Sequence, residues 1–292
     1  MSKPEFDIQV WEVCKKFFDE NISDRGEREK NQLEAYWCRP EGDRQQLFQK
    51  PEQRIFARFL RSYLNTTWHK ISLTKKQTDE IFSDEDIIEN ATSKIKTFLD
   101  AKKKVSKEPK ALSSLQRLLQ FCKKFISDLD LQHYEFNQAQ TKNFDIFRDA
   151  VEKDFNSPNV SAVSKHERII YDKLYEPYKT IMKMQKLVPG FGVALTCDFL
   201  KESHLCNIAK PDIHIAHVFS LLDGVPYSMD LALVRRVCEF AATVCPANPN
   251  DFCNTGAYNV DKVIWMCCSD YNKDERGKKK GLKQDFLKRL AS

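Results

Sequence analysis

The sequence predicts an all-α protein, and three observations support this fold class. Glycine and proline are scarce, at 8 and 11 of 292 residues, against about 7% and about 5% in average proteins. All-β folds use both residues in turns, so that class is disfavoured, as are collagen-like and linker-rich chains. Apolar residues recur at helical spacing along most of the chain, and the alternating pattern of strands is almost absent. The 41% hydrophobic content argues against a disordered chain.

Helical periodicity predicts the elements of the first half in order. Residues 53–64 carry apolar side chains three and four positions apart, with arginines between them. The acidic run at 83–86 is typical of a helix N-terminus, because the helix dipole stabilises carboxylates there. Another helix is predicted over 112–129. Residues 101–110 are interpreted as a charged connector and 156–159 as a loop.

The second half follows the same pattern. Its helices are predicted at 165–187, 193–203, 212–222, 231–244 and 261–269, with a basic tail over 272–292 that is helical in its second half. Residues 246–256 are interpreted as a loop. A few short strands are allowed for, but the sequence does not place them.

Composition also limits the compartment and the partners. Residues 1–19 contain no apolar segment of a secretory signal, and no window approaches the roughly 18 apolar residues of a membrane span. Ten cysteines without such a signal predict free thiols in a reducing compartment. We therefore expect a cytoplasmic protein with no membrane partner. The net charge of +5 permits a nucleic-acid partner without requiring one.

The most informative segment is a glycine-containing turn between two predicted helices. Pro189, Gly190 and Gly192 lie in the sequence Leu-Val-Pro-Gly-Phe-Gly-Val-Ala. Two glycines two positions apart allow a positive φ, which we expect at Gly192, and a close approach of the backbone to a ligand. The backbone N–H groups that open the second helix then form an anion site.

A carboxylate follows this turn twenty residues later. Asp212 comes after a proline and before a helical run, so it is predicted to be a helix N-cap that is held ionised by backbone N–H groups. On its own this residue type is a common cap with no further role. The spacing from Gly192 leaves room for one helix and a short loop, and we expect the carboxylate to lie near the anion site.

Together, these two motifs resemble the helix-hairpin-helix DNA glycosylase superfamily. In that family a Leu-Pro-Gly-Val-Gly-like hairpin precedes the catalytic aspartate of a Val-Asp-x-His-like segment. The matching residues are Pro189, Gly190 and Gly192 in the hairpin, and Asp212 and His214 in the second motif. The clear resemblance covers about residues 170–225.

The resemblance implies a two-lobed, all-α glycosylase fold and a monomeric protein that acts on double-stranded DNA. Residues 1–165 would contribute helices to the lobes, and residues 166–292 would form the glycosylase core with its basic tail. Asp212 would stabilise the oxocarbenium-like transition state and orient water after base flipping. The hairpin residues and His214 would bind DNA phosphates, and the hairpin carbonyls would hold a monovalent cation.

Two family features are missing from the sequence. Bifunctional members carry a lysine where this chain has Ala194, so the resemblance implies base excision without lyase activity. Some members hold an iron–sulfur cluster on four spaced cysteines. Cys238 and Cys245 have the first spacing, but position 248 is Asn, so we expect neither a cluster nor another metal.

The excised base and the biological role stay open. The resemblance implies a damaged or modified base as the substrate, and the helical stretch at about 90–165 suggests enclosure of an unusual one, such as a bulky modified pyrimidine of phage DNA. The enzyme would then serve antiviral defence instead of DNA repair. The alternatives are a non-catalytic DNA-binding protein that uses the hairpin as a phosphate clamp, and an unrelated helical scaffold.

Overall fold

A computed structural model describes residues 2–23, 51–71, 73–100, 109–134, 140–158, 160–188, 190–203, 205–246, 256–268 and 282–292. The chain divides into two compact units. The terminal unit comprises Met1–Gly42 and Asn207–Ser292, and the central unit comprises Asp43–Cys206. Every regular element in the described ranges is helical, which confirms the all-α class. The sequence motifs predict a division at residue 165 instead, and that division stays a prediction.

The central unit contains eight helices in its described ranges. They are α2 (Pro51–Ile71), α3 (Lys75–Phe82), α4 (Ile87–Asp100), α5 (Pro109–Asp128), α6 (Gln140–Phe155), α7 (Lys165–Lys173), α8 (Glu176–Leu187) and α9 (Val193–Glu202). Helix α2 packs against α4, α5 and α9, and α8 packs against α6 and α9. Phenylalanines fill the core between these helices. Phe59 and Phe147 both meet Phe199 edge to face, at ring-centroid distances of 5.0 and 6.1 Å.

The terminal unit joins the two ends of the sequence. It contains α1 (Lys3–Phe18), α10 (Ile213–Asp223), α11 (Leu231–Val244), α12 (Ala257–Cys268) and α13 (Leu282–Ala291). Helix α12 packs against each of the other four. Phe17 and Phe286 lie with ring centroids 5.0 Å apart, so the first and last helices share one apolar core.

A buried ionic network also links the first helix to this core. The Arg236 guanidinium on α11 donates hydrogen bonds to both carboxylate oxygens of Asp7, at 3.1 and 2.8 Å, and to both of Asp223, at 2.7 and 3.0 Å. Arg236 and Asp7 are 4% and 3% exposed. Removing one partner of such a group would leave a buried charge uncompensated.

Most predicted helices are confirmed, and three predictions require correction. Residues 165–187 form two helices because Pro177 lacks an N–H and its ring would clash with the carbonyl one turn earlier. Pro109 and Lys110 begin α5 and so do not belong to the connector, consistent with the tolerance for proline in the first turn of a helix. Helix α12 begins at Ala257, four residues before the predicted start.

Other predicted segments fall partly or wholly outside the described ranges. These are the remainder of the charged connector at 101–108, most of the 246–256 loop, and the first part of the basic tail. Where the chain is described, no helix combines the length and apolar character needed to cross a membrane.

Candidate functional site

The chain reverses between α8 and α9 through a tight turn that depends on Gly190. The Phe191 N–H donates to the Val188 carbonyl over 3.1 Å, and Gly190 has φ +86°. A positive φ at the third residue of a four-residue turn is the signature of a type II turn. The predicted need for glycine is therefore confirmed at Gly190. Pro189 lies outside the described residues.

The turn is anchored through the residue between the two glycines. Phe191 is 2% exposed, and its ring stacks on Phe59 with centroids 4.7 Å apart and planes 18° from parallel. The ring of Tyr63 lies parallel on the same residue at 6.4 Å. Two consecutive turns of α2 thus hold the turn by its apolar side chain while Gly190 and Gly192 stay exposed.

Gly192 is the N-cap of α9, and its conformation corrects one prediction. Its φ is −79° and its ψ −179°, an extended backbone that any residue adopts, so a positive φ is not what requires glycine here. A Cβ atom at this position would meet nothing within 4 Å. Gly192 has no side chain to cap α9, so within the described residues no N-cap side chain satisfies the N–H groups of its first turn, which include that of Ala194. An uncapped helix N-terminus with its positive dipole end favours an anion.

The two lysines near the hairpin, Lys186 and Lys201, each lie beside a carboxylate. Lys186 is exposed and forms an ion pair with Glu167, and the hydrogen bond that it donates to that carboxylate raises the pKa of Lys186. Lys201 is 3% exposed and lies 3.7 Å from a Glu202 oxygen. A charged ammonium is a poor nucleophile, because its lone pair carries the proton.

The predicted cap at Asp212 is confirmed in atomic detail. Its Oδ1 accepts the N–H groups of His214 at 2.8 Å and Ile215 at 3.0 Å, which fixes the carboxylate on the first turn of α10. Both bonds use the same oxygen, and no hydrogen bond to Oδ2 is found from any described residue. The side chain is half-buried. One carboxylate oxygen is therefore fixed by the backbone, and the other is available to a ligand.

The segment before Asp212 is held by a buried carboxylate on α12. The backbone N–H of Lys210 donates to Asp261 Oδ2 over 3.0 Å, and Asp261 is 1% exposed. Pro211 is buried beside it. This contact fixes the entry of the chain into the cap. Sequence reasoning missed Asp261, because 51 residues separate it from its partner and no local pattern connects the two.

The imidazole rings on α10 lie against the last helix of the chain. Lys283 Nζ is 2.6 Å from His217 Nδ1 and 3.4 Å from His214 Nδ1. The same neighbourhood includes Cys268. The pKa of that thiol is raised to about 12, chiefly by burial, while Lys283 acts to lower it and Asp212 to raise it. Lys283 was not a sequence candidate. The only signal for it was its place in a basic tail, which did not indicate a partner.

The cysteines considered for a cluster lie on and after α11. Burial raises the pKa of Cys238 to about 11, and burial also raises the pKa of Cys245, outweighing hydrogen bonds from Asn259 and Gly256. Asn248 and Cys253 lie outside the described residues. Within the described part of the chain, no group of three or more histidine, cysteine, aspartate or glutamate side chains is placed to hold a metal ion.

The hairpin and Asp212 belong to different units, the hairpin to the central unit and Asp212 to the terminal unit. The local geometry expected of each is present, apart from the φ of Gly192. Scans against protein-family models, curated proteins and solved structures each find no match to this chain.

Proposed function

We propose that the chain is a monofunctional DNA N-glycosylase, which removes a damaged or modified base from duplex DNA and leaves an abasic site. The observation that carries this proposal is the state of Asp212. A cap needs only one carboxylate oxygen, and Oδ1 alone accepts both backbone N–H groups. The second oxygen of a fixed, half-buried carboxylate is then free for chemistry.

Asp212 has the charge and rigidity that the reaction requires. Cleavage of an N-glycosidic bond places positive charge on the sugar as the base leaves with the bonding electron pair. A carboxylate that is already oriented stabilises this charge without reorganising. Water, which Asp212 Oδ2 orients, then adds its oxygen to C1′, and the proton that this water loses ends on the departed base. The products are the free base and an intact strand with an abasic sugar.

The hairpin would bind the DNA backbone without regard to base sequence. The uncapped first turn of α9 and the open space at Gly192 suit a phosphate oxygen approaching the backbone. His214, on the first turn of α10 in the terminal unit, would contact a DNA phosphate by itself. When a base is flipped out of the duplex, the protein must hold the sugar–phosphate backbone on both sides of that nucleotide, and phosphate contacts serve this purpose.

The second candidate is a non-catalytic DNA-binding protein in which the hairpin acts as a phosphate clamp. The N-terminus of α9 supports the clamp as well as it supports the glycosylase, because phosphate binding needs only the backbone N–H groups. The two candidates differ at Asp212. A clamp has no use for a carboxylate close to DNA, since the negative charge repels phosphate.

The direct test is incubation of the protein with duplex oligonucleotides that contain damaged or modified bases, followed by mass spectrometry of the released bases. Bulky modified pyrimidines belong in the panel beside common repair lesions. A glycosylase releases at least one free base and leaves an alkali-labile site. Binding without release from any duplex would favour the clamp, and neither binding nor release would leave an unrelated helical scaffold.

A further inference from the structure

We infer that Lys283 and His217 form, beside His214, a second phosphate-binding site on the terminal unit, and that this site takes a phosphodiester of duplex DNA. Only the identity of the ligand as DNA rests on the proposed function. The site itself rests on three side chains from two helices, α10 and α13.

The contact between Lys283 and His217 fixes where the protons lie. A lysine ammonium carries donors only, so a separation of 2.6 Å requires His217 Nδ1 to accept. The proton of the neutral imidazole is then on Nε2. The same ammonium also lies 3.4 Å from a second ring nitrogen, Nδ1 of His214. Lys283 therefore selects the tautomer that offers an Nε2–H donor at the surface.

Exposure and charge both favour an anion at this position. His217 is exposed and Lys283 is half-buried, so a ligand reaches the imidazole without displacing the core. The ammonium supplies a positive charge, and its contacts with the two histidines account for two of its three N–H groups. Two carboxylates lie close to the site in the sequence: Asp212, two residues before His214, and Asp285, two residues after Lys283. Asp212 has one oxygen bound to backbone N–H groups, which moderates its repulsion of an incoming phosphate, and Asp285 is exposed to solvent.

This arrangement depends on the packing of two helices, α10 and α13. Lys283 is therefore held in place, unlike a surface lysine that contacts only solvent. Lys283 and His217 are 66 residues apart in the chain. Phe286, on the same helix as Lys283, is fully buried in the core of the terminal unit. The anchored helix holds the lysine at the imidazoles, while Lys288 on the same helix is exposed and offers a matched control.

The first arm of the test uses inorganic phosphate as the probe. Long-range ¹H–¹⁵N spectra of the histidine side chains report both the tautomer and the binding. We expect the Nε2–H tautomer at His217 in the full-length protein, with signals that move as phosphate is added. In Lys283→Met the tautomer preference and the phosphate response should both be lost, whereas Lys288→Met should behave as the wild type. Unmoved His217 signals in the wild type would overturn the site.

The second arm measures affinity for unmodified duplex DNA as a function of salt. Each phosphate contact contributes about 0.9 to the slope of log affinity against log salt concentration. We expect Lys283→Met to reduce the slope by about one contact, His217→Gln to weaken binding in the same direction, and Lys288→Met to leave the slope unchanged. Lys283→Arg keeps the positive charge and should retain most of the slope. This variant shows whether the effect of Lys283→Met comes from the lost charge or from misfolding.

The two arms separate this inference from the glycosylase proposal. Phosphate-dependent His217 signals without base release from any duplex would keep the site and remove the glycosylase. Base release with a wild-type slope in Lys283→Met and unmoved His217 signals would keep the glycosylase and remove the site. A response to inorganic phosphate with an unchanged DNA slope would make a free phosphate the ligand and overturn the assignment to DNA.

Discussion

Phe191 stacks on Phe59 with ring centroids 4.7 Å apart, and this contact ties the hairpin to the core of the central unit. The exposed glycines on either side of Phe191 are therefore displayed from a fixed position. A backbone ligand site needs such fixation, since groups that must first be ordered lose part of their binding free energy. The two glycines differ in backbone conformation, because only Gly190 has a positive φ. Substitutions at the two positions are therefore expected to have different effects.

Gly190→Ala is expected to destabilise the protein, because φ is +86° at that residue. A left-handed conformation costs a residue with a Cβ about 1–2 kcal/mol. Gly192→Asn should leave the free energy of unfolding unchanged or slightly raised, since asparagine is a preferred N-cap and the space there is open. Urea denaturation of both variants checks the difference. Equal stability losses would mean that the turn geometry is wrong.

The same Gly192→Asn variant should bind duplex DNA more weakly. Its side chain would cap the N–H groups of α9 and occupy the approach to them. Loss of a hydrogen bond to a charged group costs about 1.5–3 kcal/mol, which corresponds to about tenfold or more in affinity. The measurement is binding of an unmodified duplex at fixed salt. Wild-type affinity in this folded variant would exclude the hairpin as a phosphate contact.

Asp223 is expected to make stability sensitive to acid. Burial acts to raise the pKa of this carboxyl, but hydrogen bonds from Arg236 and Tyr227 outweigh it, and the pKa lies below its ordinary value. A lowered pKa in the folded state means that the stabilisation is complete above the unfolded pKa of about 3.9 and is lost as the pH falls through the folded value.

Urea denaturation between about pH 6 and pH 3 tests this linkage. The wild type should lose stability over the acid part of this range more steeply than Asp223→Asn, which has no proton to bind there. Asp285→Asn, on the exposed face of α13, is the control and should follow the wild-type slope. Parallel curves for all three proteins would show that Asp223 does not contribute.

The product of base release should be an intact strand with an abasic site. Ala194 stands at the family's lysine position, Lys186 is paired with Glu167, and Lys201 is buried. A lyase needs a desolvated, deprotonated amine to attack C1′. Borohydride should trap no covalent protein–DNA adduct, and strand cleavage should require alkali. Trapping that disappears in Lys186→Gln or Lys201→Gln would overturn the monofunctional assignment.

The sequence predicted those features that depend on residues close together in the chain, namely helices and helix caps. The helix at 231–244 and the cap at Asp212 depend on periodicity and on hydrogen bonds within one turn, and both are confirmed. Gly190 adopts the positive φ that the two glycines were expected to allow. For Gly192 the prediction was wrong, because glycine also occurs at N-caps, where its φ is ordinary.

Contacts between distant segments could not be predicted from a single sequence. Arg236 binds Asp7 across 229 residues, and Lys283 contacts His217 across 66. Each pairing depends on how amphipathic helices pack, and many packings satisfy the same periodicity. The break near Pro177 was available in the sequence, since a proline in a helix interior removes one hydrogen bond and clashes with the preceding turn.

The central claim is that Asp212 acts in catalysis and not only as a helix cap, and α11 offers a matched residue. Asp230 caps α11 in the same way, with its Oδ1 accepting the N–H groups of Ala232 at 2.9 Å and Leu233 at 3.3 Å. Asparagine caps helices as well as aspartate does, so neither Asp212→Asn nor Asp230→Asn should unfold its helix.

The decisive measurement is the single-turnover rate of base release by the wild type and these two variants, on the duplex that the oligonucleotide panel identifies. Loss of one electrostatic stabiliser of a transition state costs about 10²-fold or more in rate. We predict that loss for Asp212→Asn, with DNA affinity retained, and a wild-type rate for Asp230→Asn. A wild-type rate for Asp212→Asn would contradict the account.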